Sequence, residues 1–213
     1  MTALARSLRV LSLTAMAVSL SACISLFPKS EPSQLYRFDG AAPTAGEPAA
    51  APAPSSRFGI TRANGSFVQS AASDRILTVD GDQVAYIAES RWVSPASVLF
   101  NEAMTRAFDA NTGAARLMSR GERGRADYFM RVDVTRFEAV YDRGTKAAPE
   151  VAVTLRVALV RADRTLAGST LIEAKVRAAD NRVSAIVAAF DQAVGQALGE
   201  LITWTNQTGA VPA

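Results

Sequence analysis

Histidine is absent from this 213-residue chain, and cysteine occurs once, at Cys23. The missing histidine removes Ser-His-Asp and Cys-His nucleophile arrangements and every histidine-based metal site. The lone cysteine removes any intrachain disulfide. Excess charge is missing as well. The formal balance is +3, and with Arg6 and Arg9 assigned to a leader that is cleaved, 21 basic residues face 20 acidic ones. A pI near 9.3 therefore carries no sign of a nucleic-acid partner, and none is expected. What is present is ordinary globular material: 49% hydrophobic and 20% charged residues, enough to bury one sizeable core.

The N-terminus reads as an address. Two arginines and no acid precede an apolar run from Val10 to Leu20 broken only by Ser and Thr, which is the order of a secretory signal. The run is about half the roughly 20 residues that a helix needs to span a bilayer core. It ends in Leu20-Ser21-Ala22-Cys23, which resembles the lipobox of bacterial lipoproteins. That resemblance implies cleavage after residue 22 and lipidation of Cys23; a signal peptide with a chance cysteine, or a buried core cysteine, is the plain alternative. Two or three acyl chains would anchor the protein essentially permanently. Ile24 stands where an aspartate is the usual inner-membrane retention signal in enteric bacteria. Its presence points to the outer membrane, facing the periplasm.

The domain plan is a signal peptide at 1–22, a lipidated tether at 23–34, a folded domain at 35–206 and a C-terminal tail at 207–213. The tether, interrupted by Pro28 and Pro32, reaches about 35 Å if extended. Ala41 to Ser56 is rich in Ala and Pro and reads as a disordered insertion. Short strands are expected at Leu35–Phe38 and from Phe58, with a hairpin from Arg75 to Ile87 turning at Asp80-Gly81-Asp82. Ser94 is expected to cap a helix whose first turn holds Pro95, with Ala96, Phe100, Ala103, Met104, Ala107 and Phe108 on its buried stripe and Asn111 and Gly113 ending it.

Tyr128, Met130, Val132 and Val134 then alternate with polar residues, after which the apolar phase moves to Phe137, Ala139 and Tyr141. A bulge at Thr135 or Arg136 is needed to keep one face inward. Val151 to Leu159 and Ile172 to Val176 alternate in the same way around a turn at Ala162-Asp163-Arg164. A stripe of helical period from Val183 to Ile202 closes the chain. The fold class expected is α+β: a two-layer domain, with an antiparallel sheet and two main helices packed on one face.

Catalytic, metal and cofactor sites are all expected to be absent. Candidate carboxylate pairs, Asp74 with Asp80 and Asp82 or Asp133 with Glu138, fall at turn or wet-face positions. Asp80-Gly81-Asp82 lacks the spacing of a calcium loop, and Gly121-Glu122-Arg123-Gly124 lacks the ending of a phosphate loop. Arg116, Arg120, Arg123 and Arg125 cluster in what reads as a solvated loop. Gly195 and Gly199 match a small-xxx-small pattern, read here as close packing of the last helix on its sheet. An envelope hydrolase has no base beside any serine.

The order Asp74-Arg75-Ile76-Leu77, Val84-Ala85-Tyr86, Arg91-Trp92-Val93-Ser94-Pro95, placed after a lipobox, resembles the ABC-type transport auxiliary lipoproteins, the PqiC-like family. Leu35-Tyr36-Arg37-Phe38 is similar to that family's early aromatic strand, and Val183 to Ile202 to its closing helix. The chain departs from the pattern in its insertion at 41–56 and in having Ser66-Phe67-Val68-Gln69-Ser70 where a Pro-Tyr-Leu element is usual. The resemblance implies a docking accessory to a mammalian-cell-entry (MCE) domain protein and its ABC permease and ATPase. Such systems move phospholipids or other hydrophobic molecules between membranes. The alternative is a structural envelope lipoprotein that assists assembly of an outer-membrane complex. Arg91 and Trp92 carry two readings: partner contact, since both types are enriched at interface anchors, or a plug at the joint of helix and sheet.

Overall fold

A 13-residue strand, β6 (Tyr128–Val140), is the spine around which the other strands are arranged. A computed structural model describes residues 33–40, 57–119, 121–122 and 124–210. The expected leader, Cys23, most of the tether and the 41–56 insertion lie outside them. In chain order the other strands are β1 (Gln34–Tyr36), β2 (Phe58–Arg62), β3 (Arg75–Asp80), β4 (Gln83–Trp92), β5 (Ala115–Leu117), β7 (Glu150–Arg161) and β8 (Leu166–Arg177). The helices are α1 (Ala96–Asp109) and α2 (Val183–Gly209).

One edge of β6 pairs antiparallel with β7 along its whole length, and β7 pairs antiparallel with β8. The other edge is shared. β2 runs parallel to its start, a single bridge joins Phe67 to Val134 at its middle, and β3 runs parallel to its end. From these stubs the sheet continues through β5 beside β2 and through β4 and β1 beside β3; β2–β5 and β1–β4 are also parallel pairs. The sheet is therefore mixed, which corrects the antiparallel expectation while leaving the α+β class. Alternation within a strand reports which face is buried and is blind to the direction of the neighbour. The parallel pairs join segments distant in sequence, and β4, α1 and β5 form the crossover from β3 to β6.

The bulge falls at Thr135. The ladder to β7 runs unbroken to Val134↔Leu155 and resumes at Arg136↔Thr154. The extra residue returns Phe137 and Ala139 to the face already holding Met130 and Val134, and all four are buried. On β7 the five expected inward residues, Val151 through Leu159, are fully buried. Ala152 and Thr154 on the opposite face are buried too, each between longer side chains across the ladder: Glu138 and Lys175, Arg136 and Glu173. Arg164 takes a left-handed φ of 74° in the β7–β8 turn, and Gly81 has φ 55° in the β3–β4 turn.

Ser94 does not cap α1. The capping position is Pro95, with no side-chain bond. The helix start is instead held from outside: the Ala96 N–H donates to the Ser73 carbonyl at 2.9 Å, and the Ser97 hydroxyl donates to the Ala72 carbonyl at 3.1 Å. The helix ends where Asn111 bonds the Ala115 carbonyl at 2.7 Å and Asn206 of α2 accepts from Ala115 N–H at 2.8 Å. Helix α2 continues to Gly209, past the position at which a tail was expected. Tyr128 Oη donates to the Gly209 carbonyl at 3.0 Å, and the Phe58 ring packs where a Cβ at 209 would sit. By length and composition α2 could cross a membrane, but 56% of its apolar window is buried within the protein, where it packs on β7 and β8. At Gly199 a Cβ would meet nothing within 4 Å, so close helix–sheet packing is not what this glycine serves.

Candidate functional site

Trp92 sits at the centre of the core. It is 2% exposed, edge-on to Phe38 and Phe190 at ring-centroid distances of 5.1 and 5.3 Å, and Phe137 packs against both Phe38 and Phe190. This geometry is that of a plug and presents no surface to a partner, so the contact reading of Trp92 is corrected. The backbone explains the placement. The β3–β4 register shifts between Arg75 and Leu77, and Glu89 adopts a φ of 52°. The resulting irregularity bends β4 and turns its last residue inward. Arg91, one residue earlier, points the other way. Its side chain is 46% exposed and pairs with Asp74 at 3.1 Å, on a sheet edge that also shows Leu35 and Val93 to solvent.

The second feature is a cleft of about 850 Å³ between α1, the segment 61–67 and the loop after β5, within the size range of ligand and peptide sites. Phe67, Leu117, Met118 and Val132 line its partly exposed apolar floor, and Arg62, Asn64, Asn101 and Asp109 stand among its polar walls. Phe67 lies in the stretch that departs from the family pattern. Its ring packs at 5.3 Å from Phe137 and 6.0 Å from Phe100, so the altered element forms part of both core and cleft.

The wall of this cleft is stitched to β6 by carboxylates. Asp133 accepts from Ser66 N–H at 2.8 Å and Ser66 Oγ at 2.7 Å, and pairs with Arg131. Partial burial alone would raise its pKa, but the Ser66 bonds and the Arg131 guanidinium together hold it below the usual carboxylate value. Asp127 accepts from Gly59 N–H at 2.7 Å. Asp191, on what reads in sequence as the wet face of α2, accepts from both Asp39 and Gly40 N–H at 2.7 and 2.8 Å and so fixes the chain after β1. Nothing in sequence separates these clamps from solvated acids, because each lies at a polar position of a regular pattern.

Three of the candidate carboxylates are engaged by other side chains. Asp133 is held by Ser66, Glu138 pairs with Arg136 at 2.7 Å, and Asp74 with Arg91. Glu122, at the cleft, accepts from Ser119 N–H and pairs with Arg116 at 2.7 Å, and these bonds lower its pKa. Among the described residues no three His, Cys, Asp or Glu side chains group as metal ligands. Of the arginine cluster, Arg120 and Arg123 lie outside the described residues.

The family model for the ABC-type transport auxiliary lipoprotein component matches residues 68–201. The chain belongs to this family. The match begins one residue after the Phe67 bridge and ends in α2, so it contains Trp92, Phe137 and Phe190 of the aromatic cluster, α1 and the β6–β7–β8 meander. Members are lipoproteins associated with ABC-type transport and are not a known enzyme family. A crystal structure of a Xanthomonas campestris protein of the DUF330 family shares the fold at a TM-score of 0.67 with 23% identity, covering 83% of this chain and 97% of that one. A second solved structure, of an uncharacterised protein, aligns at 0.61 with 14% identity over 82% and 99% of the two chains. No functionally curated protein matches in sequence.

Proposed function

We propose that this family member is an outer-membrane-anchored docking accessory. A lipid on Cys23 and the 23–34 tether hold the domain in the periplasm. There it engages an MCE-domain protein whose ABC permease and ATPase move phospholipids or other hydrophobic molecules between membranes. The family match over 68–201 carries the reading. The engaged state of Asp74, Asp133, Glu138 and Glu122 is consistent with a binding rather than a catalytic role. Arg91 and the exposed Leu35 and Val93 on the same sheet edge are the contact region, with Trp92 acting from beneath as a positioning residue.

A photo-crosslinking residue in place of Arg91, in the full chain within its own envelope, tests the docking. A covalent adduct with an MCE-domain protein is expected. An adduct with an outer-membrane assembly factor alone would favour the assembly role instead. The anchor is tested separately: Cys23→Ala should yield an unprocessed or soluble product, and a variant that still requires detergent for extraction from the outer membrane would overturn it.

A further inference from the structure

The connections before β2, before β6 and between β7 and β8 meet at one end of the sheet. Asp127, just before β6, donates its N–H to the Gly59 carbonyl at 2.9 Å, and its own carbonyl accepts from Ala162 N–H at 3.0 Å. Arg116 is level with Gly59, and Arg161 with Tyr128. These contacts gather Arg57, Arg116, Arg125, Arg161 and Arg164, which are widely separated in sequence, at the same end. The acids there are already taken up. Asp127 accepts from Gly59 N–H at 2.7 Å, Asp163 from Thr165 N–H and Oγ at 2.9 and 2.7 Å, and Glu122 pairs with Arg116. Arg57, Arg125 and Arg164 are exposed and form no ion pair among the described residues.

Large apolar side chains flank these cations. Phe129 and Leu166 stand either side of Val160 in one row across β6, β7 and β8, 41% and 60% exposed on the face away from the helices. Trp204 of α2 is half-buried beside Gly168 at the same corner, and its indole N–H has no hydrogen-bond partner among the described residues. Guanidinium groups suit lipid phosphates, and amphipathic rings sit at headgroup depth. The length of chain before β1 favours a bilayer over a free acidic protein. Ten residues, 24–33, separate Cys23 from β1, about 35 Å at full extension. Through β4 and β3, β1 lies roughly 30 Å from the start of β6 by strand rise and spacing. A bilayer holding Cys23 is therefore always within reach of the arginine end, at an effective concentration that a free partner does not match. We propose that this end of the domain lies on the anionic phospholipid surface of that bilayer, with the lipid anchor proposed above as its premise. The contact orients the tethered domain: Arg125 and Arg164 meet phosphates, and Phe129, Leu166 and Trp204 enter the headgroup layer.

Trp92 and Trp204 are the chain's two tryptophans, and Trp92 is enclosed in the core, so quenching of emission by a headgroup nitroxide lipid reports Trp204. The full chain is reconstituted into phosphatidylcholine vesicles with and without phosphatidylglycerol, and circular dichroism confirms that each variant is folded. Phosphatidylglycerol should raise the quenching, Trp204→Phe should abolish the rise, and high salt should reverse it. Arg125→Glu/Arg164→Glu, at two side chains without bonds in the domain, should cut the rise by about half or more. Equal quenching in both vesicles, or a rise indifferent to the charge reversal, overturns the proposal. So does a photo-crosslinker at Arg164 that captures an acidic envelope protein while Trp204 stays unquenched. Mass spectrometry of the same sample reads the acyl chains on Cys23 separately. Their absence would strike the anchor, while quenching decides the arginine end in either case.

Discussion

The two edges of β6 are held in different ways. Toward β7 the ladder is continuous apart from Thr135, its partner follows directly in sequence, and side-chain alternation is enough to align it. Toward β2 and β3 three short contacts are spread along the strand, their partners lie far back in the chain, and polar clamps from Asp127 and Asp133 hold them in place. An edge made of neighbours in sequence can rest on hydrophobic pattern alone. An edge closed over a long loop has fewer ladder bonds to offset the closure entropy and relies on specific hydrogen bonds. The cleft lies on this second side, beside the segment that those bonds hold.

The harshest way to break the first edge is to delete Thr135. Without the bulge residue Phe137 and Ala139 turn outward while Met130 and Val134 stay in, and the expected outcome is loss of soluble folded protein, read by expression and far-UV circular dichroism. Retention of a cooperative melt would mean that the strand can re-register. Next in size is Trp92→Ala, which empties the joint shared by both sides; a loss of about 3–5 kcal/mol in denaturant unfolding is expected, with Trp92→Phe costing less.

Gly65→Ala separates the edges. A Cβ there would lie 1.9 Å from the Val132 carbonyl oxygen, so segment 63–67 must move off β6. Amide exchange should quicken across 58–68 while β7 and β8 stay protected. Equal loss on both sides would show that the two edges form one cooperative unit and would end the comparison. Ser66→Ala probes the clamp more gently, at about 1 kcal/mol near neutrality. Asp133 has its folded pKa below the ordinary 3.8, so the stability it adds is complete above that value and is lost as pH falls further through the folded pKa. Acid unfolding of Ser66→Ala should therefore be shallower below pH 3.8 than that of wild type. The smallest effect expected is at Gly199, where the open space allows Ala and the helix should gain about 0.5–1 kcal/mol in a thermal melt.

Much of the architecture is written in short windows of sequence. The period of two in β6, β7 and β8, the phase slip that demanded a bulge, the hairpin turn at Gly81 and the 3.6 period of α2 are each decided by residues within a few positions of one another. Side-chain direction repeats locally, so such patterns are legible without a partner. The aromatic and Arg-Trp elements that resemble the auxiliary lipoproteins are of the same kind, since the resemblance lies in their order along the chain.

Other features exist only once distant segments meet. Neither the parallel direction of β2 and β3 against β6 nor the capture of the Ala96 amide by Ser73 and of the Ser97 hydroxyl by Ala72, in place of a Ser94 cap, follows from any window. The burial of Trp92 depends on Phe38, Phe137 and Phe190, three rings spread over most of the domain, and on a bend in β4 that no residue type announces. Asp133 and Asp191 read as solvated acids and became clamps because a backbone N–H from more than sixty residues away arrived beside each. The sequence by itself determined the faces, the periods and the family, because those depend on energies summed over adjacent residues. Tertiary structure alone decided strand direction, the partners of each acid and which of Arg91 and Trp92 meets solvent, because those depend on which of several long-range closures buries the most apolar surface while leaving no polar group unpaired.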